Sequence, residues 1–568
     1  MKANFRSLCL FALLLAAPPS SASAQSLINP GFEQMYLPIA PNGQPVPDSA
    51  RITGSIAPGW SDNTDWAKNV ILAYGSDTNR PHSGAACQRI TVTQGFAQIT
   101  QGMQFAAGRI QASVWVRAEP AQWVSLTVRL AGAPYTAYGA RPIKAGPKWT
   151  QIRVECTVPA TSGGLYVNTS GIGTVWLDDA GIAAVTSASQ KLSPPAGAIP
   201  RSYFGMNVNN MHVAPEFKWP VLDFGTYRSW DSGVIWPTIE TARGVYDWSN
   251  LDKDVAQAQA HHAQFIFTLG QTPTWASSHP EEPAVYGKGY AAPPANLSDW
   301  KDFVGEVAAR YKGRIAAYEV WNEPDIAMFY TGTPAQLAAL ETAAAEVVHH
   351  ADPKALIVAP AVSGGGAASQ LRFLDDYLTA GGGVHADVLA YHGYVYPAEE
   401  EVWAVQSYRD LLQSHGVGDK PLWNTETGTE LATVSETETA AFVSRELILD
   451  WALGLGRICI YAYNGSFTGL DAPTSDPKKR DPSRLGLSGI AYAQSMTWLS
   501  GAKMLSCAAD AHGTWVCALR QPDGTAAWLV WNPQGPSTFR LPLAWKVRRR
   551  TGGSISIGIQ PVLVSRTK

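Results

Sequence analysis

Charge is what this sequence has little of. Asp, Glu, Lys and Arg make up only 16% of its residues, against roughly 25% in ordinary soluble proteins, and 43 basic and 46 acidic side chains leave a net charge of −3. A chain so near neutral has no long-range field to gather nucleic acid or acidic lipid, which removes both as first candidates for a partner. Long apolar runs are missing too. The longest, Leu8 to Ala17, falls short of the roughly 20 residues that span a bilayer, so no membrane insertion is expected. There is no C-x-x-C pair and no His-rich cluster, so neither a metal site nor a cofactor is expected from spacing. Disorder is excluded by a hydrophobic content of 46%. Aromatic residues are plentiful: 21 Trp and 21 Tyr on a low-charge background serve either as plain core or as faces for a neutral, ring-shaped ligand.

Residues 1–24 read as an export tag. Lys2 and Arg6 precede the apolar run, and Ala22-Ser23-Ala24 has the A-x-A form of a secretory cleavage site, so a secreted or periplasmic protein is expected. In an oxidising compartment cysteines pair. Of the 6 cysteines, Cys9 leaves with the tag. Cys507 and Cys517 flank the turn Asp510–Gly513 between two strand-like runs, which suggests a local bridge. Cys87 with Cys156 is a second possible pair, and Cys459, inside Ile458-Cys459-Ile460, reads as a buried thiol.

Three grammars follow. Residues 27–185 alternate polar and apolar, as in Trp123–Leu130, with frequent Gly and Pro, which predicts a β-sandwich. Residues 186–200 (TSASQKLSPPAGAIP) have a linker's composition. From 201 to 502 strands alternate with helices. Strands are expected at 203–208, 225–231, 264–270, 316–322, 356–362, 387–393, 421–426 and 457–463. Helices lie between them, among them Glu436–Leu453, opened by the capping-box spacing Ser435-x-x-Glu438. Eight such units predict an α/β fold of the (β/α)₈ barrel type, flanked by the N-terminal jelly roll and a small C-terminal β-sandwich over 503–568.

Two barrel strands end on a glutamate bordered by Trp and Asn: Trp321-Asn322-Glu323-Pro324 on the fourth and Trp423-Asn424-Thr425-Glu426 on the seventh. Either alone could be an ion-pair partner. Together they put two carboxyls across one opening, as a glycosidase needs: one acid to protonate the leaving oxygen and one carboxylate to attack the anomeric carbon.

Asn322-Glu323-Pro324 and Thr425-Glu426-Thr427-Gly428 resemble the acid/base and nucleophile signatures of the large clan of retaining (β/α)₈ glycoside hydrolases. Ile239–Ser249 (IETARGVYDWS) and Gln271-Thr-Pro273-Thr-Trp275 are most similar to glycoside hydrolase family 39. The resemblance implies that Glu323 is the acid/base, that Glu426 is the nucleophile and that Asn322 binds the sugar 2-hydroxyl. Asn29-Pro30-Gly31-Phe32-Glu33, Pro58-Gly59-Trp60 and Val175–Asp179 resemble jelly-roll carbohydrate-binding modules, folds that also serve as inert spacers.

Other assignments stay open at this level. Arg228, ending the second strand, is the candidate cation for Glu426 or a structural salt bridge low in the barrel. His392 and Tyr394 end the sixth strand, to position Glu426, to grip a hydroxyl, or simply as satisfied polar groups. Trp275 and Tyr463 offer stacking faces or belong to the core. The polar segment Phe467–Leu485 overhangs the cleft or stays in solvent. The function expected is an exported retaining glycosidase acting on a β-linked plant or bacterial poly- or oligosaccharide. Two rivals stand beside it: a transglycosylase, and a non-catalytic polysaccharide-binding or assembly protein. Oligomeric state is not legible.

Overall fold

The computed structural model describes residues 26–39, 51–64, 67, 69–133, 135–185, 190–209, 211, 219–364, 368–476, 479–547 and 550–565. The expected export tag and residues 186–189 lie outside these. Among the described residues no helix is long and apolar enough to cross a membrane.

The centre is a barrel. Its strands are β1 (Phe204–Asn207), β2 (Thr226–Arg228), β3 (Gln264–Leu269), β4 (Ala317–Val320), β5 (Leu356–Val358), β6 (Leu389–His392), β7 (Leu422–Thr427) and β8 (Ile458–Ile460). All eight fall where the sequence places them. They run parallel in the order β5-β4-β3-β2-β1-β8-β7-β6. A bridge between Val358 and Val388 closes the ring. The helices are α1 (Ser249–Ala260), α2 (Leu297–Arg310), α3 (Pro334–Ala351), α4 (Ala368–Thr379), α5 (Glu401–Ser414), α6 (Glu436–Ala452) and α7 (Leu487–Leu499), following β2 to β8 in turn. Side-chain alternation explains the packing. Ile266, Ala317, Val358 and Ala390 fill the barrel interior, while Phe265, Phe267, Tyr318 and Val320 face the helix layer. At the start of α6, Ser435 Oγ accepts from the Glu438 N–H at 3.3 Å and the Glu438 carboxylate reaches back, as its spacing predicts.

The N-terminal region is a two-sheet sandwich with seven and five strands. The five-stranded sheet runs Ser61–Asp62, Gln98–Phe105, Thr161–Thr169, Gln122–Leu130, Ala137–Ala145. Along Gln122–Leu130, Val124, Leu126 and Val128 enter the sandwich core and Ser125 and Thr127 take the opposite face. The sequence signature Asn29–Glu33 does structural work. Phe32 stacks on Trp60 at 4.9 Å, and the Glu33 carboxylate accepts from the Ala85 and Ala86 N–H groups.

The 186–200 segment is not a free tether. Gln190–Leu192 adds an edge strand to the C-terminal sheet, pairing with Cys507–Ala509, and the buried Ile199 donates its N–H to the Ala502 carbonyl. Its polar, Pro-rich composition hid two apolar contacts, Leu192 and Ile199, that dock the chain. The remaining C-terminal strands, Lys503–Ala509, Trp515–Arg520, Ala526–Trp531 and Val562–Ser565, complete this sheet, and a hairpin of Ser537–Val547 with Arg550–Ile557 packs against it.

Cys507 and Cys517 are directly opposite one another in this sheet and are disulfide-bonded. Cys87 and Cys156 do not pair. They lie in one sheet with two strands, Gly173–Ala184 and Gly108–Glu119, between them, and both thiols are buried and free, as is that of Cys459. Because the bridge closes a short loop in the unfolded chain, the Cys507→Ala/Cys517→Ala double variant should lose about 2–3 kcal/mol in chemical denaturation under oxidising conditions. A midpoint unchanged from the parent would contradict that contribution.

Candidate active site

Local backbone features aim the two glutamates. On β7, simple alternation gives Trp423 to the barrel interior and Asn424 to the helix side, where its amide donates to Asp450 at 2.9 Å. By parity Glu426 would follow Asn424 outward. The ladders to β6 and to β8 both shift register in this stretch, and the extra residue turns Glu426 into the barrel mouth. At the end of β4 the turn is made by left-handed residues: Trp321 has φ 67° and Glu323 φ 43°, neither a glycine. Conformations of this kind cost of order 1–3 kcal/mol each and persist where surrounding contacts enforce them. Here Trp321 donates its N–H to Leu269 O at 2.7 Å and its indole N–H to Phe329 O at 2.9 Å, while the Glu323 N–H is held by Ala361 O at 3.0 Å.

The two carboxyls meet across the opening. One ring nitrogen of His392 and one oxygen each of Glu323 and Glu426 all lie within 4.8 Å of one another. His392 Nδ1 is 3.0 Å from Glu323 Oε1, so the imidazole partners Glu323 and not Glu426. Tyr394 Oη donates to Glu426 Oε1 at 2.6 Å. Arg228, fully buried, donates from Nη1 to Glu426 Oε2 at 2.6 Å, from Nε to Glu319 Oε2 at 2.6 Å and from Nη2 to Asn322 Oδ1 at 2.7 Å. It therefore fills both roles considered for it, as the cation of Glu426 and as a structural ion pair with Glu319. With its oxygen taken by Arg228, the Asn322 amide is fixed, and its buried Nδ2 has no protein partner.

The electrostatics separate the pair. Burial, with the Asp325 charge adding to it, pushes Glu323 up to about 7. Burial also raises Glu426 above its usual range, but there the Arg228 guanidinium and the Tyr394 hydroxyl oppose it. Burial works against the Arg228 cation, yet Glu319 and Glu426 outweigh it and hold that pKa above its ordinary value. His392 is pushed down to about 4, chiefly by burial, and is neutral at working pH. Glu323 is thus the member of the pair that burial holds protonated, while Glu426 has the cation and the donor that favour its charged form.

Of the two aromatic candidates, Tyr463 and Trp275, only Trp275 is part-exposed. Tyr463 is fully buried and donates its hydroxyl to Pro482 O at 2.5 Å, so it belongs to the core. Trp275 donates its indole N–H to Glu240 O at 3.2 Å and lies under the guanidinium of Arg243, both residues of the hairpin built by the 239–249 motif. Other side chains, not singled out from the sequence, gather near Glu426. Asp231, three positions after Arg228, accepts from Tyr461 Oη at 2.6 Å and Tyr286 Oη at 2.5 Å. Both tyrosines lie within the field of Glu426. Phe467, first residue of the polar segment, contacts the rings of Tyr394 and Tyr461. The base of that segment thus reaches the mouth, while its hairpin is pinned by Arg480 to Asp471 at 2.6 Å. Strand-end position was the available signal for Asp231 and Tyr461.

Among the described residues two donor sets could hold a metal ion, Glu323 with His392 and Glu426, and, behind β7, Glu401 with Glu446 and Asp450.

Residues 244–479 match the family model described as the glycosyl hydrolase catalytic core, so the barrel is that of a glycosidase. Among solved structures, the chain is similar to a family 39 glycoside hydrolase from the gut symbiont Bacteroides cellulosilyticus WH2, at 15% identity and TM-score 0.51 over 79% of this chain and 95% of that one. It is also similar to a glucosidase from Croceicoccus marinus (17% identity, TM-score 0.46, 66% and 85% covered). A family 51 α-L-arabinofuranosidase from Bifidobacterium longum matches at 12% identity, TM-score 0.48, over 67% and 100%. At these identities the likeness is one of fold.

Proposed function

We propose that this glycosidase is an exported, retaining enzyme that cleaves β-glycosidic bonds in a poly- or oligosaccharide of plant cell-wall or bacterial origin. The observation that carries the reading is the close approach of the Glu323 and Glu426 carboxyls, oxygen atoms within 4.8 Å, at the ends of β4 and β7. Retaining enzymes hold their carboxyls about 5–5.5 Å apart, whereas inverting ones leave about 6.5–9.5 Å for a water.

In this reading protonated Glu323 gives its proton to the glycosidic oxygen while Glu426 attacks the anomeric carbon. The bond to the leaving sugar breaks and an ester to Glu426 forms. Glu323, now ionised, takes a proton from water, which attacks the same carbon and releases Glu426. Arg228 and Tyr394 keep the nucleophile ionised and aimed, and the free Nδ2 of Asn322 is a donor for the sugar 2-hydroxyl. The export assignment rests on residues 1–24, and the mature protein is expected to begin at Gln25.

The test is stereochemical. Proton NMR of the first sugar released from an aryl β-glycoside should show the β anomer before mutarotation, and an α anomer first would overturn retention. The pH profile is a separate check. A general acid works only while protonated, so kcat/KM should be full below, and fall as pH rises through, about 7, the value to which Glu323 is pushed. Glu323→Gln should abolish that basic limb, and a limb that survives the substitution belongs to another group.

A further inference from the structure

We propose that the N-terminal sandwich and the β6–α5 segment of the barrel together form a second sugar-binding region, continuous with the carboxyl pair, which holds residues of a glycan chain beyond the one being cleaved. This rests on the glycosidase reading above and extends it to the length of substrate engaged.

The region begins beside Tyr394, the hydrogen-bond partner of the nucleophile. Tyr394, whose hydroxyl donates to Glu426, lines a cavity of about 390 Å³ together with Phe467, Gly428 and Tyr135 of the sandwich. Ala137, Tyr394, Val395 and Tyr396 also line a cavity of about 680 Å³, whose far wall is Ser125, Thr127 and Asn168 on the outer face of the five-stranded sheet. Glu400 and Trp403 line both this space and a third cavity of about 580 Å³ at the junction with the C-terminal sheet. Each is in the size range of ligand sites, about 300–1,000 Å³. A mere contact between domains would be close-packed, with few voids larger than a water.

The lining suits a carbohydrate. Phe96, Pro142, Val395, Tyr396 and Trp403 supply apolar walls for the C–H faces of sugar rings. Asn168 Nδ2 donates to Ser125 Oγ at 3.2 Å and Thr127 Oγ1 at 3.5 Å, so both hydroxyls accept within the sheet and keep their own protons to donate outward. Glu400 is 6% exposed and its Oε1 has no partner, and the Trp403 indole N–H is likewise buried without one. An unpartnered buried acceptor and donor are costly when the space is empty and are satisfied by sugar hydroxyls.

The two walls are fixed relative to each other. Lys144 pairs with Asp375 at 2.6 Å, Arg372 Nη1 donates to Ser170 O at 2.8 Å, and Arg141 pairs with Asp410. The sandwich therefore belongs to the rigid frame of the cleft.

The experiment compares kcat/KM for the oligosaccharide series with that for the aryl monoglycoside of the same sugar, the sugar being chosen by an aryl-glycoside panel. In the full chain, Glu400→Met and Thr127→Val, which remove the polar atoms with little change in size, should each lower the long-chain to monoglycoside ratio about tenfold, the effect of one lost hydrogen bond to substrate. The surface variant Lys301→Ala serves as control and should keep the parental ratio. Either substrate-region variant, folded by thermal melting and active but with an unchanged ratio, overturns the second region and leaves the glycosidase reading standing. A parent protein that cleaves nothing in the panel overturns the reading on which both rest.

Discussion

Glu426→Ala is expected to lose turnover on every glycoside, by roughly 10⁵-fold or more, because the covalent step has no other nucleophile within reach. Glu323→Ala should fail differently. A leaving group such as dinitrophenolate departs with little protonation, so its glycosylation step should survive nearly intact, while substrates with sugar-like leaving groups lose most of their rate. Pre-steady-state kinetics isolates that step even where deglycosylation has become limiting. Azide adds a second signature. In Glu426→Ala it fills the vacated side and gives an α-glycosyl azide from a β-substrate. In Glu323→Ala it attacks the glycosyl-enzyme from the opposite face and gives the β product. Equal losses across the leaving-group series, or the same azide anomer from both variants, would contradict the assigned roles.

Arg228→Leu should be the most damaging substitution to the fold of the site. The guanidinium is fully buried between Glu319 and Glu426, each 2.6 Å away, and it also holds the Asn322 amide. Removing one partner of a buried ion pair leaves the other uncompensated, at a cost of about 3–5 kcal/mol. Here two carboxylates lose their cation, so urea unfolding should show a loss at or above that range. Adding Glu319→Gln to Arg228→Leu removes one orphaned charge and should restore part of it. Arg228→Lys should still fall well short of the parent, because one ammonium cannot span Glu319, Glu426 and Asn322 together. A loss under about 1 kcal/mol in Arg228→Leu would show that the buried network contributes little.

The same residues show how far reading along the chain reaches. The eight barrel strands, the Ser435 cap and the glutamates at the ends of β4 and β7 were legible because each is written within a few neighbouring positions: alternation, capping spacing, a strand-end carboxyl beside Trp and Asn. His392 was legible as a strand-end residue, but not as the partner of Glu323. Tyr461 and Tyr463 flank the same alanine, and only packing sends Tyr463 to the core and Tyr461 to Asp231.

What the sequence by itself determined is therefore local: the barrel's order of elements, the alternating sandwich, the short bridge between Cys507 and Cys517, and the identity of the two carboxyls. The tertiary structure decided the rest. A register shift on β7 turned Glu426 inward against its own alternation. Ring closure brought Arg228 to three acceptors 91, 94 and 198 positions away along the chain. Lys144 and Arg141 docked the sandwich on helices α4 and α5, and the 190–192 strand joined the C-terminal sheet. The reason is physical: alternation and capping depend on neighbouring residues, whereas burial, pairing of charges and the shape of a cleft depend on groups that only the closed chain brings within a few ångströms of one another.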